Sequence, residues 1–250
     1  MSIDLQLVAT LADLLAPRRH VLVGTNAAPH YAAALLARQR GDGCPRVTVI
    51  GGGARDSFLT DDLTEIFHCA AQGRFDGFVV GGGQIDGRAN INLVGVGTHP
   101  RMEVRFPGSH GTPLLYLMIP NIVIFRSGHS RKALVEQVDF ISAPGVSGPE
   151  VHRPGGPTQL LTDRALFDFD KARARFTLRS VHAGQVLDDV VAETGFGFDR
   201  PEIVPCTPSP NPQTLRAILD EVCPMLHDIY PQFARSLREA AARQLGRACA

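Results

Sequence analysis

The chain has 250 residues, 44% of them apolar, with 25 Lys plus Arg against 25 Asp plus Glu. This size and apolar share suit one large α/β domain, taken here as 1–250. The neutral charge balance, with no basic stripe and no interleaved aromatics, gives no reason for nucleic acid or an anionic membrane as partner.

The opening residues include Asp4 and lack a basic n-region, so they do not read as a secretory signal. The longest apolar stretch, 113–125, contains Pro113, Pro120 and Asn121 and is too short to span a bilayer. The five cysteines are scattered without a CxxC pair, which reads as free thiols in a reducing cytoplasm and no metal site.

From the N-terminus onward, residues 5–15 place Leu7, Leu11, Leu14 and Leu15 at helical intervals, and Pro17 ends the pattern. His20-Val21-Leu22-Val23 is a short buried-strand pattern running into Gly24-Thr25-Asn26, and 29–40 reads as a helix rich in Ala and Leu. Val47-Thr48-Val49-Ile50 is a second strand, leading into Gly51-Gly52-Gly53. A helix over 62–72 follows, with Asp61 or Asp62 as N-cap. Gly77-Phe78-Val79-Val80 is a third strand, ending in Gly81-Gly82-Gly83. Strand, Gly-rich loop and helix thus alternate, the pattern of an open parallel sheet in an α/β/α sandwich. Such sheets bind ligands beyond the carboxyl ends of their strands, so the three loops are expected to crowd at one edge.

The second half is less regular. Residues 114–125 hold two short apolar runs, Val138-Asp139-Phe140-Ile141 another, and 145–156 reads as a long loop. A β-meander is expected through Leu160-Leu161-Thr162, residues 165–169 and residues 175–178. A helix over 186–194 is expected to close at Gly195 as C′ residue. Residues 201–212 should be extended by their prolines, a helix begins near Gln213, and the tail 232–250 is helical or frayed.

The strongest chemical signal is Gly81-Gly82-Gly83-Gln84-Ile85-Asp86 followed by Asn90-Ile91-Asn92. Glycines let backbone approach a ligand closely, and the Gln84, Asn90 and Asn92 amides can each donate and accept. That set suits a thioester carbonyl, which needs donors as charge develops on its oxygen. His129 with Arg126, Arg131 and Lys132 forms a basic group after a strand, able to hold a carboxylate or phosphates. Asp139 reads as orienting the loop at Ser142-Ala143-Pro144-Gly145. His30, His110, His152 and His182 read as structural or exposed.

The string GGGQIDGRANINLVGVG resembles the matching stretch in β-type subunits of the class I CoA-transferase superfamily, the glutaconate type in particular. HVLVGTNAAPHYAAALLAR, HSRKALVEQVDFISAPG, LLTDRALFDFD and VVAETGFGFD resemble further segments of that family, in the same order. Similar β-like subunits occur in a bacterial steroid ring-opening CoA hydrolase and in a glutaconyl-CoA-type decarboxylase. The resemblance implies the NagB/RpiA-like open α/β sandwich, a homologous α subunit in a heterodimer or heterotetramer, and an acyl-CoA thioester as substrate with no bound cofactor. It also implies a glutamate nucleophile after the second strand, because CoA transfer needs a carboxylate that attacks and then leaves. Residues 47–53 contain no Glu; the nearest carboxylates are Asp56 and Glu65. The catalytic residue is therefore unassigned, with Gly52, Gly53, Gly81, Gly82, Gly83, Gln84, Asn90, Asn92, Arg126, His129 and Arg131 expected to bind substrate or CoA. Hydrolysis or C–C ring cleavage of the steroid-degradation type is favoured, a catabolic role in the cytoplasm. The alternatives are a transferase with its nucleophile on the partner, a decarboxylase, and a non-catalytic structural subunit.

Overall fold

The leucine spacing at the start of the chain does produce a helix, α1 (Leu5–Leu15), which buries Leu7, Leu11 and Leu15. The computed structural model describes residues 5–41, 43–51 and 62–248. After α1 come β1 (His20–Val23), α2 (Ala28–Arg40), β2 (Arg46–Val49), α3 (Leu63–Ala71) and β3 (Gly77–Gly81). Four two-residue strands follow: β4 (Gln84–Ile85), β5 (Ile91–Asn92), β6 (Gly95–Val96) and β7 (Val104–Arg105). Then come α4 (Thr112–Met118), β8 (Ile122–Arg126), β9 (Pro157–Thr162), β10 (Ala165–Asp170), β11 (Arg175–His182), α5 (Leu187–Glu193) and β12 (Cys206–Thr207). The chain finishes with α6 (Pro212–Ala217), a π-helical turn (Ile218–Val222), α7 (Cys223–His227) and α8 (Pro231–Ala248). This is the mixed α/β sandwich class, with sheet in the core and helices flanking it. None of the described helices is long and apolar enough to cross a membrane.

The chain divides into two compact units. The first holds residues 1–65, 75–77 and 208–250. Here β1 and β2 pair in parallel, His20 opposite Arg46. Parallel strands lie covered on both faces, which is why β1 is buried along its whole length and apolar from Val21 to Val23. The C-terminal helices return to pack on α2, with the Tyr31 and Tyr230 rings 6.3 Å apart and Arg40 donating to Thr214 at 2.8 Å. Asn211 caps α6 by accepting from the Thr214 amide at 2.8 Å, and Pro212 occupies the first turn, where its missing N–H costs nothing.

The second unit holds residues 66–74 and 78–207. Its strands run in the order β12-β11-β10-β9-β8-β3. β3, β8 and β9 are parallel, and β9-β10-β11 is the expected meander. Phe167, Phe169, Phe176 and Phe196 form its aromatic core, with ring centroids 4.9 to 6.2 Å apart. The two apolar runs of 114–125 differ in kind: the first is α4 and the second β8.

Gly195 corrects an expectation. α5 ends at Glu193, Thr194 is extended (φ −92, ψ 122), and Gly195 is not in the left-handed region. Its amide donates to the Leu134 carbonyl at 2.8 Å, and a Cβ there would overlap that oxygen. Close backbone approach, not a helix C-cap, is what requires glycine at this position.

Candidate functional site

In the first unit the loops after β1 and β2 lie together: a Cβ on Gly51 would stand 3.4 Å from Thr25 Cγ2. Gly51 has φ +68 and Asn26 φ +54, left-handed conformations that favour these residue types. On β2, Thr48 is buried and its hydroxyl pairs with His20 Nε2 at 2.8 Å. Gly52 and Gly53 lie outside the described residues.

In the second unit the third loop leaves the carboxyl end of β3, where Gly81 pairs with Phe125 at the end of β8. Arg126, the last residue of β8, reaches across and donates from Nη1 to the Gly82 carbonyl at 3.2 Å. Its buried Nε has no hydrogen-bond partner among the described residues. Gly81, Gly82 and Gly83 all avoid the left-handed region, so they are not required for a positive φ. Side-chain space explains two of them. A Cβ on Gly82 would sit 3.0 Å from Ile85 Cγ1, and one on Gly83 would overlap the Phe106 ring. The Gly83 amide is also occupied, donating to the Asn92 carbonyl at 2.9 Å.

The three amide side chains expected to face a thioester are turned inward. Gln84, Asn90 and Asn92 are 4%, 7% and 0% exposed. Gln84 Oε1 accepts from Asn92 Nδ2 at 2.7 Å and from the Asp139 amide at 3.0 Å, while its Nε2 donates to Asp139 Oδ2 at 3.2 Å. Asn92 Nδ2 also donates to the Gly95 carbonyl at 2.6 Å, and its Oδ1 accepts from the Val94 and Gly95 amides at 2.9 and 3.2 Å. Asn90 spans Asp86 Oδ2 (2.9 Å) and the Gly145 amide (3.0 Å). Buried polar groups need such partners, and here the protein supplies them itself. These amides therefore build the hairpin β4–β5 and its supports, and direct donation to a thioester is not what their bonds provide.

Asp86 was not foreseen as part of this network. It is 3% exposed and accepts from the Arg88 and Asn90 amides, each at 3.0 Å, an Asx turn that the Asp-Gly-Arg-Ala-Asn spacing could have signalled. Asp139 orients other backbone than expected: its Oδ2 accepts from the Gly97 amide at 2.7 Å, and the neighbouring Ser142 hydroxyl accepts from the Leu93 amide at 2.8 Å.

The basic group does not form a common site. His129 is 4% exposed, with Nδ1 against Thr162 Oγ1 and Nε2 against Thr194 Oγ1, both at 2.9 Å. Burial pushes its pKa down, so the ring is a neutral pin between β9 and the end of α5 rather than a cation for phosphate. Exposed Arg131 donates to the Ala192 carbonyl at 3.2 Å, near the carboxyl end of α5. Of the expected binding set, Arg126 with Gly81, Gly82 and Gly83 remains gathered at the carboxyl ends of β3 and β8. A separate open cleft of about 930 Å³ lies at the tip of β4–β5, lined by Arg88, Glu136, Arg175 and Phe196 among others. Among the described residues, no group of three or more His, Cys, Asp or Glu side chains could hold a metal.

A family model described as Coenzyme A transferase matches residues 6–193. The β subunit of glutaconate CoA-transferase from Acidaminococcus fermentans is 28% identical over 174 residues, which are 67% of this chain and 63% of that protein. The β subunit of 3-oxoadipate CoA-transferase from Pseudomonas knackmussii is 29% identical over 161 residues, 62% of each. The chain thus spans less than two thirds of the length of either curated relative. Among solved structures, Rhodococcus jostii RHA1 IpdAB superposes with a TM-score of 0.74 at 20% identity, covering 88% of this chain and 94% of that one. The decarboxylase AibA/AibB gives 0.69 at 20% identity, covering 94% and 99%. At such identity the likeness is one of fold.

Proposed function

The chain belongs to the coenzyme A transferase family, and from that premise we propose that it is the β-type subunit of a heteromeric enzyme that cleaves an acyl-CoA by hydrolysis or C–C ring cleavage rather than by CoA transfer. A homologous α chain completes the site and supplies the catalytic base. The observation that carries this reading is the absence of any carboxylate from residues 47–53, the segment that forms β2 and enters its loop. A ping-pong transferase needs a carboxylate that attacks the thioester and then carries the CoA. On this chain Arg126, beside the Gly81–Gly83 loop, is the group offered to substrate. Its Nε, without a partner among the described residues, suits a carboxylate or phosphate oxygen of an acyl-CoA.

The test uses the complex purified with its partner, supplied with acyl-CoA in labelled water. Hydrolysis puts one labelled oxygen into the product acid, needs no acceptor acid, and leaves no Asp or Glu of this chain modified by hydroxylamine. Dependence on an acceptor acid, with a hydroxylamine-modified carboxylate mapped to this chain, would overturn the reading in favour of transfer. Release of carbon dioxide would assign the complex to decarboxylation.

A further inference from the structure

The side of Gly83 that lacks a Cβ is filled by a ring from another element. Phe106 follows β7, and its Cδ2, Cε2 and Cζ atoms stand where a Gly83 side chain would be. The ring is only half-buried, unlike Phe167 and Phe176, which are wholly inside the core. It is carried by the small antiparallel hairpin β6–β7, whose outer residue Val104 is 51% exposed. That hairpin is fastened in place. The Phe106 amide donates to Val94 O at 3.0 Å and the Gly108 amide to Leu93 O at 3.1 Å. The Asp139 carboxylate holds the Gly97 amide, and Ser142 holds the Leu93 amide. Two consecutive loop residues therefore have chemically different neighbours, the Arg126 guanidinium at the Gly82 carbonyl and an aromatic ring at Gly83. A bound molecule with one anionic and one apolar end would be oriented by that difference.

We infer that Phe106 is a specificity-determining residue, the apolar wall that limits the bulk of the acyl group beside Gly83. This rests on the acyl-CoA reading above. The ring sits directly on the loop backbone, so any acyl group that reaches Gly83 must share space with it. A bulkier acyl group meets there an aromatic ring that a fastened hairpin holds in place. The discrimination an apolar wall gives is about 10- to 200-fold per methylene-sized change.

The experiment measures kcat/KM of the heteromeric complex for acetyl-, hexanoyl- and cyclohexanecarbonyl-CoA, with Phe106→Ala, Phe106→Leu and Phe106→Trp. Phe106→Ala is expected to raise the ratio of bulky to small acyl group at least 10-fold, mainly through KM, and Phe106→Trp to lower it. Phe106→Leu should fall between wild type and Ala, and it carries the test if the Ala variant does not fold. Equal changes for all three thioesters would mean that Phe106 is only packing, and the inference falls while the acyl-CoA reading stands. Failure of the wild-type complex to turn over any of the three would remove the thioester-hydrolysis reading and this inference with it.

Discussion

Asn92→Ala separates a scaffolding role for the buried amides from a ligand-binding one. Asn92 is wholly buried, and its side chain holds four polar atoms: the Val94 and Gly95 amides, the Gly95 carbonyl and Gln84 Oε1. Truncation strips three backbone groups of their partner, while Gln84 Oε1 keeps the Asp139 amide. Each lost hydrogen bond is worth about 1 kcal/mol net. Val94 is half-buried, so water can replace one of the three, and the expected loss is about 2–3 kcal/mol. In a chain of this length that is a fall in Tm of roughly 4–12 °C. The assay is urea and thermal unfolding of the purified protein with no acyl-CoA present, together with hydrogen exchange at Val94 and Gly95, which should accelerate. Asn92→Asp keeps both acceptor contacts but sets a carboxylate oxygen against the Gln84 and Gly95 oxygens, so at neutral pH it should not restore stability. A stability change under about 0.5 kcal/mol, the range of an unremarkable surface substitution, combined with lost activity would refute the scaffolding argument and return the amide to substrate.

Gly83→Ala should destabilise the protein by about 1–3 kcal/mol, the range for overpacking, because the new Cβ displaces the Phe106 ring. Adding Phe106→Ala should recover most of that loss in a double-mutant cycle, and strict additivity would show that the two do not meet. His30 is buried, and burial lowers its pKa from 6.5 to about 4. Above pH 6.5 it is neutral in both the folded and unfolded chain; below that the unfolded state takes the proton first, so stability falls as pH drops from about 6.5 to about 4. The loss approaches about 3 kcal/mol in total. Urea midpoints between about pH 7.5 and 4.5 should flatten in His30→Leu, and an unchanged slope would reject the assignment.

Local pattern was enough to find the elements. The leucine spacing of 5–15, the β-branched run at 47–50 and the apolar tetrads at 20–23 and 77–80 each stand close to an observed helix or strand. Their alternation with glycine-rich turns pointed to the mixed α/β class, because period and turn chemistry are properties of neighbouring residues. The motif order likewise carried the family, which residues 6–193 match. Side-chain destinations were not legible. Gln84, Asn90 and Asn92 look like ligand donors in a string of letters, since an amide offers the same groups to a substrate as to a buried carbonyl. Their partners Asp139 and Gly145 come from 55 residues away, and only the folded chain brings them together. His129 looked like one of four neighbouring cations; its bonds to Thr162 on β9 and Thr194 beyond α5 hold it in the interior, where burial lowers its pKa. The return of the π-helical turn and α7 onto α2, and the seating of Phe106 on Gly83, are long-range contacts of the same kind. Periodicity, turns and family motifs are each encoded within a few residues, so the bare chain already displays them. Whether a polar group is satisfied internally, as Asn92 is, or is left without a partner among the described residues, as Arg126 Nε is, depends on segments far apart in the chain and is set only when they pack.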